Sequence, residues 1–533
     1  MHVKSPAMTL LGDSLQARIS VLAAYLAVAV PWVAPLPSGP SAIVGATLLA
    51  AMGLSVLCLV RVTKYGSDPA ASGLVWAAVL SVIVVLVQFA ASSLSQPYAP
   101  ARAVSGGATT RIATIISSIT GQMSGSGPAY GNLRQPNLFA TLMAIGWIAC
   151  AALMRTGALR SRAFGYGVIA LLAVGNAASG SRTGLLLWVL VGAALWGWSR
   201  SNSQQSLAQR SQAASSAEAD ASSIRSAFTP VGMTTWAWGT YVFALVLLPQ
   251  LVDSDRHLLH RLTSDAPDCQ SRLVLWSNML RLIAQKPWLG WGWGELDYAH
   301  YITAYPGMRF CGLLDNAHNL PLHLAVELGM PVAVLLCAGV VRFVWRRKPW
   351  RERDPMRFGA WLILGAIGVH SLLEYPLWYG PFQMTALLCV WMVWRHPEGK
   401  GAAGTTQLGR RLMQAAALAL SAAAFYAAWD YHRISQLYLP AGQRSAWYAA
   451  DPWTYARRSW LFADHVRFAE LVTTPLTQDN AAHMAQLAEK MLHFSPEPAV
   501  VRTLIESLRL LGRDTEAGFH AQRLKDAYAG RDE

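Results

Sequence analysis

The chain has 533 residues, of which 53% are hydrophobic and 14% charged, with a formal net charge of +14. Soluble domains carry roughly 25% charged residues, so a deficit this large excludes a soluble globular protein of this length. The basic excess is not that of a nucleic-acid binder either, because Lys and Arg stand in short clusters between apolar runs, where membrane topology accounts for them.

Eleven apolar runs are expected to be transmembrane helices, near 15–35, 41–60, 73–91, 136–154, 163–178, 183–198, 234–252, 319–344, 358–374, 378–394 and 409–428. The expected fold class is therefore an all-α polytopic membrane protein with about 11 transmembrane helices. The first run is too long, and too far from any small-residue cleavage site, for a signal peptide; it reads as an uncleaved span. Placing Lys4 and Arg18 in the cytoplasm makes 61–72, 155–162, 199–233, 345–357 and 395–408 the cytoplasmic connections. The connection 345–357 carries Arg346, Arg347, Lys348, Arg351, Arg353 and Arg357, whereas the opposite short connections 36–40 and 375–377 carry no Lys or Arg. This follows the positive-inside rule, and an odd number of spans sends the C-terminus outside. The expectation is a multi-pass protein of a bacterial-type inner membrane that works on the periplasmic side.

Four regions follow. Residues 1–252 hold the N-terminal spans and a polar Ser/Gln/Ala-rich cytoplasmic linker at 200–230. Residues 253–318 form a periplasmic loop, 319–429 the C-terminal spans, and 430–533 a periplasmic helical domain. In that last region AAHMAQLAEKMLHF and AVVRTLIESLRLLG show helical spacing on either side of SPEP at 495–498, like one tetratricopeptide-type unit. One unit cannot bury its apolar face alone, so 440–475 is expected to supply partners. A structural role and an acceptor-docking role both fit this region.

Cys58, Cys150, Cys337 and Cys389 lie inside spans and read as small apolar residues. Cys269 and Cys311 share the periplasmic loop, where an oxidising compartment permits a disulfide that closes the loop just before His318. Nothing around them has the paired spacing of a zinc site.

Four polar clusters fall at outer span ends, where ionisable groups are costly and commonly functional. YGNLRQPN at 130–137 offers amides to sugar hydroxyls or a phosphate; a helix-capping turn explains Pro136 and Asn132 but not the density of amides. SGSRTG at 179–184 is a tight reversal whose Arg182 suits either bidentate phosphate binding or snorkelling to lipid headgroups. In the long loop, Arg272 and Trp276 precede QKPWLGWGWG at 285–294, whose Trp residues suit the membrane interface. Arg272, Arg281 and Lys286 would then stand at headgroup level. DNAHN at 315–319 follows, with His323 and Glu327 roughly on the face of His318 or Asn319. A His at a span mouth is a candidate base. Lastly, HSLLEYPLWY at 370–379 puts His370 and Glu374 four residues apart, spaced to pair, without the HExxH order of a zinc hydrolase.

The pattern R-x-x-x-W at 272–276, P-W-L-G-x-G-x-G at 287–294 and A-H-N-x-x-L-x-x-x-x-E-L-G at 317–329 resembles the O-antigen ligase/polymerase superfamily. GNLRQPN at 131–137 and HSLLEYPLWY at 370–379 are similar to the branch of bacterial protein O-oligosaccharyltransferases, the pilin-glycosylation ligases. The resemblance covers roughly 125–395. It implies a GT-C-like fold and transfer of a preassembled glycan from an undecaprenyl-diphosphate carrier to a hydroxyl of a periplasmic or pilin-like protein. A lipid A-core ligase and an O-antigen polymerase share this chemistry and remain alternatives. The roles implied are Arg182 and Arg272 on the diphosphate and His318 on the acceptor hydroxyl. Gln135, Asn137, Asn319, Glu327, His370, Glu374, Tyr375 and Tyr379 would line the substrates. No metal or other cofactor is expected, since Asp265, Asp268, Asp297 and Asp315 are scattered. A lipid-sugar flippase would concentrate polar groups at the midplane and show inverted repeats; here they crowd one face.

Overall fold

The computed structural model describes residues 6–34, 39–59, 68–94, 129–213, 230–251, 258, 268–312, 314–394 and 407–528. Most of the expected loop 92–135, the linker beyond residue 213, the start of the 253–318 loop with Asp265, and most of the connections 61–72 and 395–408 lie outside these residues.

The described residues form α-helices and short 3-10 turns and no strand. This suits a chain whose backbone must satisfy its own hydrogen bonds in lipid. The helices are α1 Pro6–Val33, α2 Ala42–Leu59, α3 Asp68–Leu94, α4 Pro136–Thr156, α5 Arg162–Ala178, α6 Arg182–Ala213 and α7 Pro230–Leu251. After the loop helices α8 Arg272–Gln285 and α9 Leu296–Ile302 come α10 Leu320–Leu328, α11 Met330–Arg347, α12 Pro355–Ser371, α13 Gly380–Trp394 and α14 Gln407–Ser435. The chain ends in α15 Pro452–Ala456, α16 Ala463–Thr473, α17 Ala481–Leu492, α18 Pro498–Leu510 and α19 Asp514–Tyr528. Among the described residues, three helices are long and apolar enough to cross a membrane, with windows at Pro69–Leu86, Pro136–Thr156 and Gln407–Tyr438; five shorter apolar helices accompany them. This is a helical membrane protein.

α4 is the hub. Every residue from Leu138 to Leu153 is buried, with α3, α5, α6 and α12 around it; a helix apolar on all sides belongs in a core. α14 is the opposite case, with only 11% of its apolar window buried inside the protein.

The run expected at 183–198 continues as helix to Ala213, into the polar linker, and one other run is broken. The run 319–344 is two helices, α10 and α11, broken at Gly329, which adopts φ 84° and ψ 161°. The cause lies in the QKPWLGWGWG stretch, which wedges into the break. The Met330 amide donates to the Pro287 carbonyl (2.8 Å), Trp291 to Val326 (2.8 Å) and Gly292 to Glu327 (3.0 Å). A Cβ at Gly329 would meet the Trp288 carbonyl oxygen at 2.2 Å. Trp288 and Trp293 point outward, 75% and 68% exposed, while Trp291 turns in and donates to the Leu282 carbonyl.

At the C-terminal end, α17 and α18 bury one stripe each, including Met484, Ala488, Met491, Val501, Leu504 and Leu508. Their core is completed by Leu471 and Phe468 of α16 and Ala517 of α19, and by Tyr301 of the loop helix α9. The partner from the loop was not expected from spacing.

Candidate active site

Four short segments, none of them mid-helix, converge on one carboxylate. Gln135 caps α4 and Asn137 lies in its first turn; Arg272 opens α8; His318 precedes α10; Glu374 lies three residues beyond the end of α12. Glu374 is only 5% exposed, and its two oxygens take four donors. Oε1 accepts from the Arg272 guanidinium and from Asn137 Nδ2 (3.2 Å); Oε2 accepts from His318 Nδ1 (2.6 Å) and Gln135 Nε2 (3.4 Å). A buried carboxylate persists only when its lone pairs are satisfied in this way.

The pairing sets the imidazole. With its Nδ1 proton donated to Glu374, a neutral His318 carries its lone pair on Nε2, the atom a general base uses. His318 itself adopts φ 49°, and its amide donates to Asn316 Oδ1 (2.8 Å). Left-handed backbone at a non-glycine residue is strained, and such strain gathers at working sites. Tyr375 meets the imidazole edge to face at 5.2 Å, and Tyr379 stacks beyond it at 6.3 Å. The Arg272 side chain remains 39% exposed, leaving guanidinium N–H groups for a ligand besides the one given to Glu374.

A supporting layer holds these groups. Asn137 Oδ1 accepts from Ser181 Oγ (2.6 Å), and Ser181 in turn caps α6 through the Gly184 amide (2.9 Å). Asn319 caps α10 through the Leu322 amide and donates to the Leu372 carbonyl (3.1 Å), joining the His318 and Glu374 segments. Cys269 and Cys311 are bridged, with Cα atoms 5.4 Å apart, which ties the turn before Arg272 to the segment before His318.

Other candidates sit elsewhere. The His370 imidazole does not meet the Glu374 carboxylate: its Nδ1 pairs with Thr141 Oγ1 at 2.8 Å, fully buried behind the site. The two stay one helical turn apart, the Glu374 amide donating to the His370 carbonyl (2.8 Å), but the carboxylate turns to Arg272 and His318. His323 and Glu327 pair with each other at 3.3 Å, both buried, with Trp378 edge-on to the imidazole. Of the two residues expected on their face, Asn319 keeps the helical spacing as the cap of α10, with the His323 amide on its carbonyl (2.9 Å), whereas His318 stands outside it. Arg182 is exposed at the start of α6, one residue from Ser181. Thr141 was not singled out from sequence, and Ser181 and Asn316 lay in the SGSRTG and DNAHN clusters without a role of their own. Thr141 had a signal, one helical turn after Asn137. Among the described residues no three His, Cys, Asp or Glu side chains group to hold a metal ion.

Comparison with known proteins adds three family matches. Residues 129–153 match "Protein glycosylation ligase", 167–337 match "O-Antigen ligase" and 359–533 match "Virulence factor membrane-bound polymerase, C-terminal". A General O-oligosaccharyltransferase of Acinetobacter baylyi is 27% identical over 156 residues, 28% of this chain and 27% of the relative. A ComP-specific O-oligosaccharyltransferase of the same organism is 27% identical over 120 residues, 22% of each chain. The matched stretches therefore span about a quarter of these relatives' length. No solved structure matches.

Proposed function

We propose, from the premise that the chain belongs to the O-antigen ligase superfamily and to its protein O-oligosaccharyltransferase branch, that it moves a preassembled glycan from undecaprenyl diphosphate to a hydroxyl of a periplasmic, pilin-like protein. The observation that carries this reading is the convergence of Arg272, His318 and Glu374: a cation, a base and the carboxylate that orients both.

The chemistry balances on these groups. His318 Nε2 takes the proton of the acceptor hydroxyl as its oxygen attacks the anomeric carbon. The bond from that carbon to the diphosphate breaks, and the electron pair leaves with the diphosphate, which needs little acid assistance. Arg272, with Arg182 approaching from the start of α6, holds the charge that develops there. Glu374 keeps His318 in the productive tautomer, much as the carboxylate of a nucleophile–His–carboxylate triad does. Gln135, Asn137, Asn319, Tyr375 and Tyr379 face the glycan or acceptor, while His370 and Glu327 act from behind as supports. In this reading the site faces the periplasm from the inner membrane, and 430–533 is a periplasmic domain.

The test is transfer of a lipid-linked glycan to a pilin in membranes holding the wild type or His318→Ala at equal abundance. The variant should lose transfer by about 10²–10⁴-fold. Full retention sinks the assignment of His318. Glycan appearing on lipopolysaccharide while the pilin stays unmodified would instead make the protein a lipid A-core ligase.

A further inference from the structure

The segment that joins α14 to the C-terminal helices is built unlike its surroundings. Between 441 and 461 it carries Trp447, Tyr448, Trp453, Tyr455 and Trp460 together with Arg444, Arg457 and Arg458, against one acid, Asp451. Its inner side is anchored. Trp453, Ala456 and Phe462 pack with Ile434 and Tyr431 of α14 and with Val44 in the first turn of α2. The Tyr431 hydroxyl donates to the Ser41 carbonyl (2.7 Å) and accepts from the Ser41 amide (2.9 Å), which fixes the end of α14 level with the start of α2. Buried Asp430 then holds the far end of the segment, accepting from Ser459 Oγ and the Leu461 amide, both at 3.1 Å.

The outer side presents large aromatics and arginines that the described residues leave exposed. Trp447 is 86% exposed, Trp460 76% and Leu461 43%, with Arg457 and Arg458 exposed beside them. Large exposed aromatics gathered in one short segment mark an interaction surface. Their level in the molecule names it. α14 is an apolar helix that buries little of itself in the protein, and α2 is an apolar helix too, so the ends of both lie where hydrocarbon gives way to headgroups. Trp and Tyr favour that layer, and arginine reaches lipid phosphates from it.

We propose that residues 444–461 lie in the headgroup layer of the membrane, with Trp447 and Trp460 inserted and Arg457 and Arg458 on lipid phosphates. The segment is thus a surface anchor that fixes where the C-terminal helices stand above the bilayer. This rests on α2 and α14 lying in a membrane and not on the glycan-transfer reading, so either stands if the other fails.

The test uses the full chain in nanodiscs of phosphatidylethanolamine and phosphatidylglycerol, with a benzophenone amino acid in place of Trp447, of Trp460, or of Phe519. Phe519 is the reference, 43% exposed on α19, which packs on α18 and α9. All three replaced side chains are exposed, so folding is retained. Phospholipid adducts found by mass spectrometry are expected several-fold more often at 447 and 460 than at 519. Equal yields at the three positions overturn the proposal. So does crosslinking at 447 or 460 that appears only once a lipid-linked oligosaccharide is supplied, because the aromatics would then be a platform for sugar rings.

Discussion

Glu374 draws its donors from residues 56 to 239 positions away in the chain, and each has a different claim on its charge. Glu374→Gln keeps the volume but turns one acceptor into a donor facing Arg272 and Asn137 or His318 and Gln135. Transfer should fall by about 10²–10⁴-fold, as when the carboxylate partner of a catalytic histidine is neutralised. Glu374→Asp keeps the charge and should recover part of that loss in the same assay; equal activity of the two variants would mean charge is not what positions His318. Most members of this cluster were legible as candidates, because amides, an arginine and a histidine at span mouths are costly without a use. Their pairing was not. His370 and Glu374 keep helical spacing, the Glu374 amide donating to the His370 carbonyl, yet each side chain finds its partner on another segment.

The broken helix α10–α11 and the wedge that breaks it form one unit. Gly329 and Gly290 face each other with left-handed backbone, and a Cβ on Gly290 would meet the Glu327 carbonyl oxygen at 2.3 Å. Gly329→Ala adds the clash to a disfavoured φ and is expected to cost at least about 2 kcal/mol, seen as a lower melting temperature in detergent. An unchanged melting temperature would show that the junction yields freely. The disulfide acts on the same loop from its other end. Its cysteines are 42 residues apart, so replacing both by Ser should cost about 2–4 kcal/mol through loop-closure entropy. A reducing agent should lower the wild type's melting temperature and leave the double variant's where it is.

Across the whole molecule, α9 is the link between the loop that carries the site and the C-terminal helices. Tyr301 enters their core and its hydroxyl meets His520 at 2.8 Å, while Tyr298 stacks on His493, which also pairs with Glu295 at 2.7 Å. Asp297 lies within this latch. Burial pushes its carboxyl from the ordinary 3.8 up to about 7, with Glu295 and Asp315 adding to the rise and the Tyr298 amide opposing it. The folded state therefore keeps a proton that the unfolded chain releases, so stability declines as pH rises from about 4 to about 7 and then levels off. Asp297→Asn removes that loss. Its melting temperature should gain on the wild type more at pH 8 than at pH 5, and a gap independent of pH would refute the coupling.

The apolar runs by themselves determined that this is a helical membrane protein, since lipid leaves the backbone no other way to satisfy its hydrogen bonds. Local composition also marked the span mouths where costly polar groups collect. Tertiary structure alone decided that Glu374 is their centre, that His370, His323 and Glu327 stand apart, and that α9 is shared with the C-terminal helices. The donors of Glu374 come from turns and helix ends, where no helical period relates one residue to the next, so only the packed chain could choose them.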